Sequence, residues 1–283
     1  MKPSSVTEAL ALLEEYEGSA VVMAGGTDLL VKKKKGIPLP LCVVDLKGIS
    51  GLNYLNCDEE KGLLVGALTT MEILKQSEIV RREYTALAEG AEVLASPTIR
   101  RAATIAGNIC NAAPSADTST PLIALGAAVK IVGPGTERLL PVEEMFLGPG
   151  ATVLSASEIV AEIRVPKRVP HIASSYVKCV RRYGPDLAVV GIAASVTLEG
   201  GVMKNVRIAE GAVAPTAFRA KRAEQILEGK KPDSALIDAA ADSAAAEADP
   251  ITDSRATKEY RREMVRVLTG RVLETVLSRA EQP

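Results

Sequence analysis

The stretch Ala20-Val21-Val22-Met23-Ala24-Gly25-Gly26-Thr27-Asp28-Leu29-Leu30-Val31 constrains the fold of this chain more than any other. Its first five residues read as a short buried strand, the two glycines as a tight turn, and Leu29 to Val31 as the opening of a helix. Gly36-Ile37-Pro38-Leu39-Pro40 breaks that helix, and Leu41 to Leu46 reads as a second buried strand. Two strands joined through a helix pair in parallel, so the chain is expected to open with a small α/β lobe. A helix precedes it, capped by Ser5, carrying Val6, Leu10 and Leu13 on one face and stopping at Gly18.

The pattern then changes. Leu52 to Leu55 and Gly62 to Val65 read as an antiparallel hairpin around the charged turn Asp58-Glu59-Glu60-Lys61. Helices are expected at 70–76 and 85–94, followed by a glycine loop from Thr104 to Asp117 and a helix over 118–125. Strands resume at 128–132 and 159–165. Pro166-Lys167-Arg168-Val169-Pro170 reads as a linker, because prolines flank two charges directly after a strand. Beyond it, three strands (175–178, 187–198 and 202–213) are expected, with Glu199-Gly200-Gly201 turning the last two. The remainder is helical, and Tyr260, Met264, Val267, Leu268, Val272 and Val276 are expected on one face of the last helix. The 283 residues suit about two domains at ~150 residues each.

Composition excludes several kinds of chemistry. Lys plus Arg number 34 and Asp plus Glu 35, so there is no cationic excess to bind nucleic acid or an anionic membrane. Aromatics make up 3% of the chain and His171 is its one histidine, which argues against base-stacking platforms, His-ligated metal and a Ser/His/Asp triad. Cys42, Cys57, Cys110 and Cys179 form no C-x-x-C pair, so no metal site is expected and four reduced, buried thiols are. The N-terminus has no signal-peptide core, and no run approaches the ~18 apolar residues that span a bilayer. A soluble, cytoplasmic protein is expected.

Two glycine segments remain as candidates for binding. Gly25-Gly26 stands where backbone N–H groups approach a phosphate closely, though a tight βα connection uses the same pair. It lacks both the G-x-G-x-x-G and the G-x-x-x-x-G-K-[ST] pattern. Thr104 to Asp117 interleaves small residues with Thr, Asn, Ser and Asp, which serves either a polyol or phosphate ligand or the capping of its own backbone.

Together, AGGTDLL (24–30) and ATIAGNICNAAPSADTSTPL (103–122) resemble the two FAD-binding signatures of the flavoprotein, or medium, subunits of molybdenum hydroxylases. That family includes enzymes of the carbon monoxide, xanthine and nicotinate dehydrogenase type. Ser96-Pro97-Thr98-Ile99-Arg100, Glu158-Ile159-Val160 through Pro166, and Tyr260-Arg261-Arg262 match further landmarks, so the resemblance covers essentially the whole chain. It implies an α+β fold: a two-lobed FAD-binding module of the vanillyl-alcohol-oxidase (PCMH) type over 1–168, with lobes of about 1–50 and 51–168. A C-terminal domain over 169–283 follows, a three-stranded antiparallel sheet with helices.

The resemblance also implies that FAD lies extended between the module and the C-terminal domain, held by backbone donors of both glycine segments. Met23, Ala24, Gly25, Gly26, Thr27, Asp28, Leu29 and Leu30 would line the diphosphate and adjacent flavin, with the Asp28 carboxylate turned into the helix N-terminus. Thr104, Ile105, Ala106, Gly107 and Asn108 match the second signature, and Asp117 matches the acid used on sugar or ribityl hydroxyls. The family usually has two glycines where this chain has Ala106-Gly107, so a positive φ at residue 106 would carry strain. Leu94, Val160, Lys178, Tyr183 and Leu187 would approach the ring; Lys178 reads equally as an ordinary salt-bridged lysine. His171 is expected on the surface, and Lys32 to Lys35 as a solvated helix face.

No catalytic residue of the chain's own is implied. By resemblance, electrons arrive from iron–sulfur clusters on a small subunit, after substrate oxidation on a molybdopterin large subunit, and leave for NAD, a quinone or another acceptor. The usual assembly is a dimer of three-chain units. Two other readings use the same fold: a stand-alone FAD-dependent reductase of the UDP-N-acetylmuramate-forming type, and a non-enzymatic scaffold.

Overall fold

The structure, a computed structural model, describes residues 1–182 and 184–281. In chain order the first elements are α1 (Val6–Glu15), β1 (Ala20–Met23), α2 (Leu29–Lys34), β2 (Cys42–Asp45), β3 (Leu55–Asp58) and β4 (Gly62–Gly66). Six short helices follow: α3 (Met71–Gln76), α4 (Glu78–Glu83), α5 (Thr85–Val93), α6 (Pro97–Arg100), α7 (Ile105–Cys110) and α8 (Ser119–Ala124). Then come β5 (Ala128–Gly133), β6 (Thr136–Pro141), β7 (Phe146–Gly148), β8 (Ala151–Thr152), β9 (Ile159–Val165) and β10 (Ile172–Cys179). The chain continues with β11 (Val190–Glu199), β12 (Val202–Gly211), β13 (Phe218–Arg219), α9 (Lys221–Leu227), α10 (Ser234–Glu247) and α11 (Lys258–Ala280).

These elements form two compact units. The first comprises 1–73, 96–112 and 127–167; the second comprises 74–95, 113–126 and 168–283. The chain therefore leaves the first unit twice, through α4–α5 and through α8, before crossing at 167/168.

In the first unit β1 and β2 pair in parallel, Ala20 opposite Cys42, as the strand–turn–helix–strand pattern requires. Ser5 caps α1 by accepting from the Glu8 amide, and Leu10 and Leu13 on its buried face pack with Val44, Leu46 and Leu52. Strand β1 is half-buried along its whole length rather than buried, and α2 buries no residue at all. The larger sheet is antiparallel in the order β3-β4-β9-β5-β6. Leu63, Val65, Val129, Ile131 and Ile163 fill its interior at 0–1% exposure. Ile159 and Ala161 of β9 join the cluster beneath α1, so the parallel pair and the antiparallel sheet share one core.

The segment expected as a glycine loop starts a helix instead. Thr104 is the N-cap of α7, its hydroxyl accepting from the Gly107 amide, and Ile105 and Ile109 are fully buried. Ala106 has no positive φ, so an alanine there carries no backbone strain. Cys57 is exposed rather than buried, Cys42 is buried, and all four thiols are free.

In the second unit the three expected strands are present, and a two-residue fourth, β13, pairs with the end of β12. Gly200 and Gly201 take φ of +58° and +78° between paired Glu199 and Val202, the backbone a two-residue hairpin needs. The apolar face of this sheet packs with α9, α10 and α11 through Ile192, Val196, Ile208, Ala240, Val272 and Val276. The buried stripe of α11 runs through Arg261, Val265, Leu268, Val272 and Val276, and Tyr260, expected on it, is exposed. Arg261 is buried because its guanidinium donates to the carbonyls of Val189 (2.6 Å) and Ala212 (3.0 Å) and to Asp253 (2.9 Å). No described helix is long and apolar enough to cross a membrane.

Candidate cofactor site

In the first unit the turn between β1 and α2 is held open by two glycines for two reasons. Gly26 takes a φ of +74°, which a side chain rarely tolerates. A Cβ on Gly25 would lie 1.9 Å from the carbonyl oxygen of Ala102, so the turn abuts the chain that leads into α7. Met23 Sδ and Leu30 Cδ1 each stand 3.4 Å from where a Cβ on Gly26 would be, so they flank the turn. Among the described residues, the N–H groups of Gly25, Gly26, Thr27 and Asp28 find no hydrogen-bond acceptor. Successive open amides around a left-handed residue form a concave anion-binding nest.

The charges around this turn differ from expectation. Asp28 is exposed and makes no capping bond, because its own backbone is already helical (φ −92°, ψ −42°); its carboxylate is not turned into the helix N-terminus. Lys47 donates to the Ala24 carbonyl at 3.3 Å and pairs with Asp45 at 2.9 Å, which sets a cation beside the turn. Lys32 is solvated but also donates to Asn111 Oδ1 at 3.1 Å, tying α2 to the end of α7.

At α7 the backbone donors are spent within the protein. The amides of Ile105 and Ala106 donate to the carbonyls of Thr69 and Ala67, and that of Gly107 to the Thr104 hydroxyl at 3.2 Å. A Cβ on Gly107 would fall 2.9 Å from that hydroxyl and 4.0 Å from the Ala24 side chain, so the two glycine segments do meet. Thr104, Ile105 and Ala106 are buried and Asn108 is half-buried. The amides of Ile105, Ala106 and Gly107 are thus taken, whereas the four of the first segment are open. Val160, also of this unit, is buried in β9.

The second unit carries a buried polar cluster. Asp117, ahead of α8, accepts from the Tyr176 hydroxyl on Oδ1 and from Lys178 on Oδ2, both at 2.9 Å. Lys178 also donates to the Asp186 carbonyl at 3.1 Å, so two of its three N–H groups have acceptors among the described residues. The side chains of Lys178 and Asp117 are 5% and 8% exposed. Burial pushes the Asp117 carboxyl above its ordinary range, although Lys178 and Tyr176 pull it down. Burial, and then the Asp117 charge, push the Tyr176 phenol well up. Leu187 is half exposed, Leu94 is buried, and Tyr183 lies outside the described residues. His171 is exposed, as expected.

Sequence reasoning missed Lys47 and Tyr176. A lysine two residues after a strand carries no local signal. Tyr176 precedes Lys178 by two residues on a strand, which puts both on one face, and that spacing was readable.

A strand-to-helix turn with four open amides fits a diphosphate. By fold and site this is an α+β cofactor-binding protein. The family model described as the FAD binding domain in molybdopterin dehydrogenase matches residues 1–168, and that of the CO dehydrogenase flavoprotein C-terminal domain matches 175–276. The xanthine dehydrogenase FAD-binding subunit of Escherichia coli O157:H7 is 30% identical over 280 residues, spanning 99% of this chain and 96% of that protein. The carbon monoxide dehydrogenase medium chain of Hydrogenophaga pseudoflava is 34% identical over 277 residues, spanning 98% and 96%.

Solved structures agree. Carbon monoxide dehydrogenase from Hydrogenophaga pseudoflava, in a form lacking the Mo-pyranopterin moiety, superposes with a TM-score of 0.94 at 35% identity, covering 98% of this chain and 96% of that one. Quinoline 2-oxidoreductase from Pseudomonas putida 86 superposes at 0.91 with 27% identity, covering 99% and 96%. The chain belongs to the FAD-binding medium subunits of the molybdenum hydroxylase family, a component of oxidoreductase complexes.

Proposed function

We propose that this chain carries electrons from iron–sulfur clusters of a small partner subunit to an external acceptor such as NAD or a quinone, with substrate oxidation on a molybdopterin large subunit. The observation that carries the reading is the run of open amides from Gly25 to Asp28, in a chain matched by the FAD-binding and flavoprotein C-terminal family models over nearly its whole length. Bound FAD supplies a centre that accepts and releases one or two electrons. The protein's part is to grip the diphosphate at 24–30, with Met23 and Leu30 beside it and Lys47 offsetting its charge. Residues 1–168 would serve as the FAD-binding domain and 169–283 as the C-terminal domain.

The assignment of Leu94, Asp117, Val160, Lys178, Tyr183 and Leu187 to the flavin and its ribityl chain rests on the resemblance. One observation supports it for Lys178: a nearly buried ammonium with one N–H still without an acceptor among the described residues suits a ligand oxygen or nitrogen. A cytoplasmic location belongs to the same proposal.

Co-expression with iron–sulfur and molybdopterin chains tests it. The proposal expects the three to co-purify with FAD, and chemically reduced iron–sulfur chain to bleach the flavin absorption. A chain that stays alone, and turns over a substrate of its own with NADPH, would instead make it a stand-alone reductase.

A further inference from the structure

Tyr176 stands at the centre of a polar cluster that the second unit is built to accommodate. Its hydroxyl sits over Gly191 of β11, where a Cβ would come within 2.9 Å of it. The backbone of Asp117 sits against α5 at Gly90, where a Cβ would meet the Asp117 carbonyl at 2.4 Å. The backbone at Tyr176 is pinned as well, since its amide donates to Glu89 at 2.6 Å and the neighbouring Ser175 hydroxyl does so at 3.0 Å. Arg279 of α11 holds the other Glu89 oxygen at 2.7 Å. Two glycines, one carboxylate and one guanidinium thus fix a single phenol, which is 4% exposed.

The fixed hydroxyl has one acceptor, Asp117 Oδ1, and the other oxygen of that carboxylate holds Lys178. A carboxylate this deeply buried ionises only with help, and each donor supplies part of it. With the phenol present, the Asp117 carboxylate has two donors and pairs with the Lys178 ammonium at 2.9 Å, so its charge offsets that of Lys178. Without it, Asp117 binds a proton more readily, and the Lys178 ammonium is left less compensated and held on one side only.

We propose that Tyr176 is a positioning residue that sets the charge balance and orientation of Lys178 through Asp117, and thereby lowers the reduction potential of the flavin beside Lys178. The proposal rests on the reading that Lys178 faces the flavin. A less compensated ammonium favours the more negative, reduced flavin, so loss of the hydroxyl raises the potential.

The test is the flavin midpoint potential at pH 7 of the full chain loaded with FAD, measured by spectroelectrochemistry in a set of variants. Tyr176→Phe is expected to change the ratio of affinities for reduced and oxidised flavin about tenfold, about 30 mV upward for a two-electron couple. Asp117→Asn should move the potential in the same direction, and Tyr176→Phe added to Asp117→Asn should move it no further. Lys178→Gln should lower it. If Lys178→Gln leaves the potential unchanged, the reading that Lys178 faces the flavin falls. If Lys178→Gln lowers it but Tyr176→Phe does not raise it, or Tyr176→Phe adds in full to Asp117→Asn, the role given to Tyr176 is overturned. Should Tyr176→Phe fail to fold, Gly191→Ala decides, since its methyl displaces the same hydroxyl: a raised potential supports the role and an unchanged one overturns it.

Discussion

The α-carbon of Gly25 faces the carbonyl of Ala102 so closely that a methyl there would lie 1.9 Å from the oxygen. The glycine is therefore required by chain packing before any ligand is considered. Gly25→Ala must displace backbone, at a cost of about 1–3 kcal/mol. Urea denaturation should show this as a lowered midpoint with an unchanged slope; an unchanged midpoint would mean that the turn and the 102–103 segment are not in contact.

Thr104 starts α7 with a hydroxyl that accepts from the Gly107 amide. Thr104→Val keeps the shape and loses the cap, which is expected to cost about 1 kcal/mol, while Thr104→Ser should cost little. Equal losses in the two variants, measured by the same denaturation, would place the importance of Thr104 in its methyl group.

Glu210 on β12 is 0% exposed, and neither carboxyl oxygen has a partner among the described residues. Burial, and then the nearby Glu247 carboxylate, hold its pKa well above the ordinary 4.5. In the unfolded chain the group ionises near that ordinary value while the folded protein keeps the proton. Its contribution is therefore full below the unfolded pKa and is lost as pH rises toward the folded one. Glu210→Gln should flatten that decline, so its Tm relative to the parent should climb as pH rises above the unfolded carboxylate range. Parallel Tm curves for the two proteins would contradict a protonated Glu210.

Arg261 holds two buried carbonyls and Asp253 together. Arg261→Met takes the guanidinium from the Val189 and Ala212 carbonyls and removes one of the partners of Asp253, and is expected to cost about 3–5 kcal/mol. Hydrogen bonds from Arg255, Arg261 and Ala256 hold the Asp253 carboxyl below its ordinary range, outweighing the upward push of burial. That part of the stability is present above the unfolded pKa of Asp253 and lost as pH falls through the folded one. Acid denaturation of Asp253→Asn should accordingly lack a component seen in the parent; identical acid transitions would show that the pairing carries no stability.

What the sequence disclosed follows from how local each cause is. The unit β1–α2–β2 and the Gly200-Gly201 hairpin are written in neighbouring residues, and both formed as read. Helix α7 was hidden because glycine and asparagine are poor helix formers; it exists through the Thr104 cap and the burial of Ile105 and Ile109. Strand β6 is exposed and charged, so no alternation marked it; its pairing with β5 makes it a strand. The passage of α4–α5 and α8 into the second unit depends on contacts between distant parts of the chain, which no local pattern records. At the candidate site, the Gly25-Gly26 turn was legible, whereas the acceptors that occupy the amides of α7 come from Ala67 and Thr69, some forty residues upstream.

The central claim is that the turn from Gly25 to Asp28 grips the diphosphate of FAD. Titration of the purified full chain with FAD, followed by flavin fluorescence and absorbance, tests it in the parent and in Gly26→Ala, whose φ of +74° opposes a side chain. The account predicts stoichiometric binding by the parent and at least a tenfold weaker affinity in Gly26→Ala, with the far-ultraviolet circular dichroism of the two proteins alike. A parent chain that takes up no FAD, or a Gly26→Ala variant that binds it as tightly, would contradict the account.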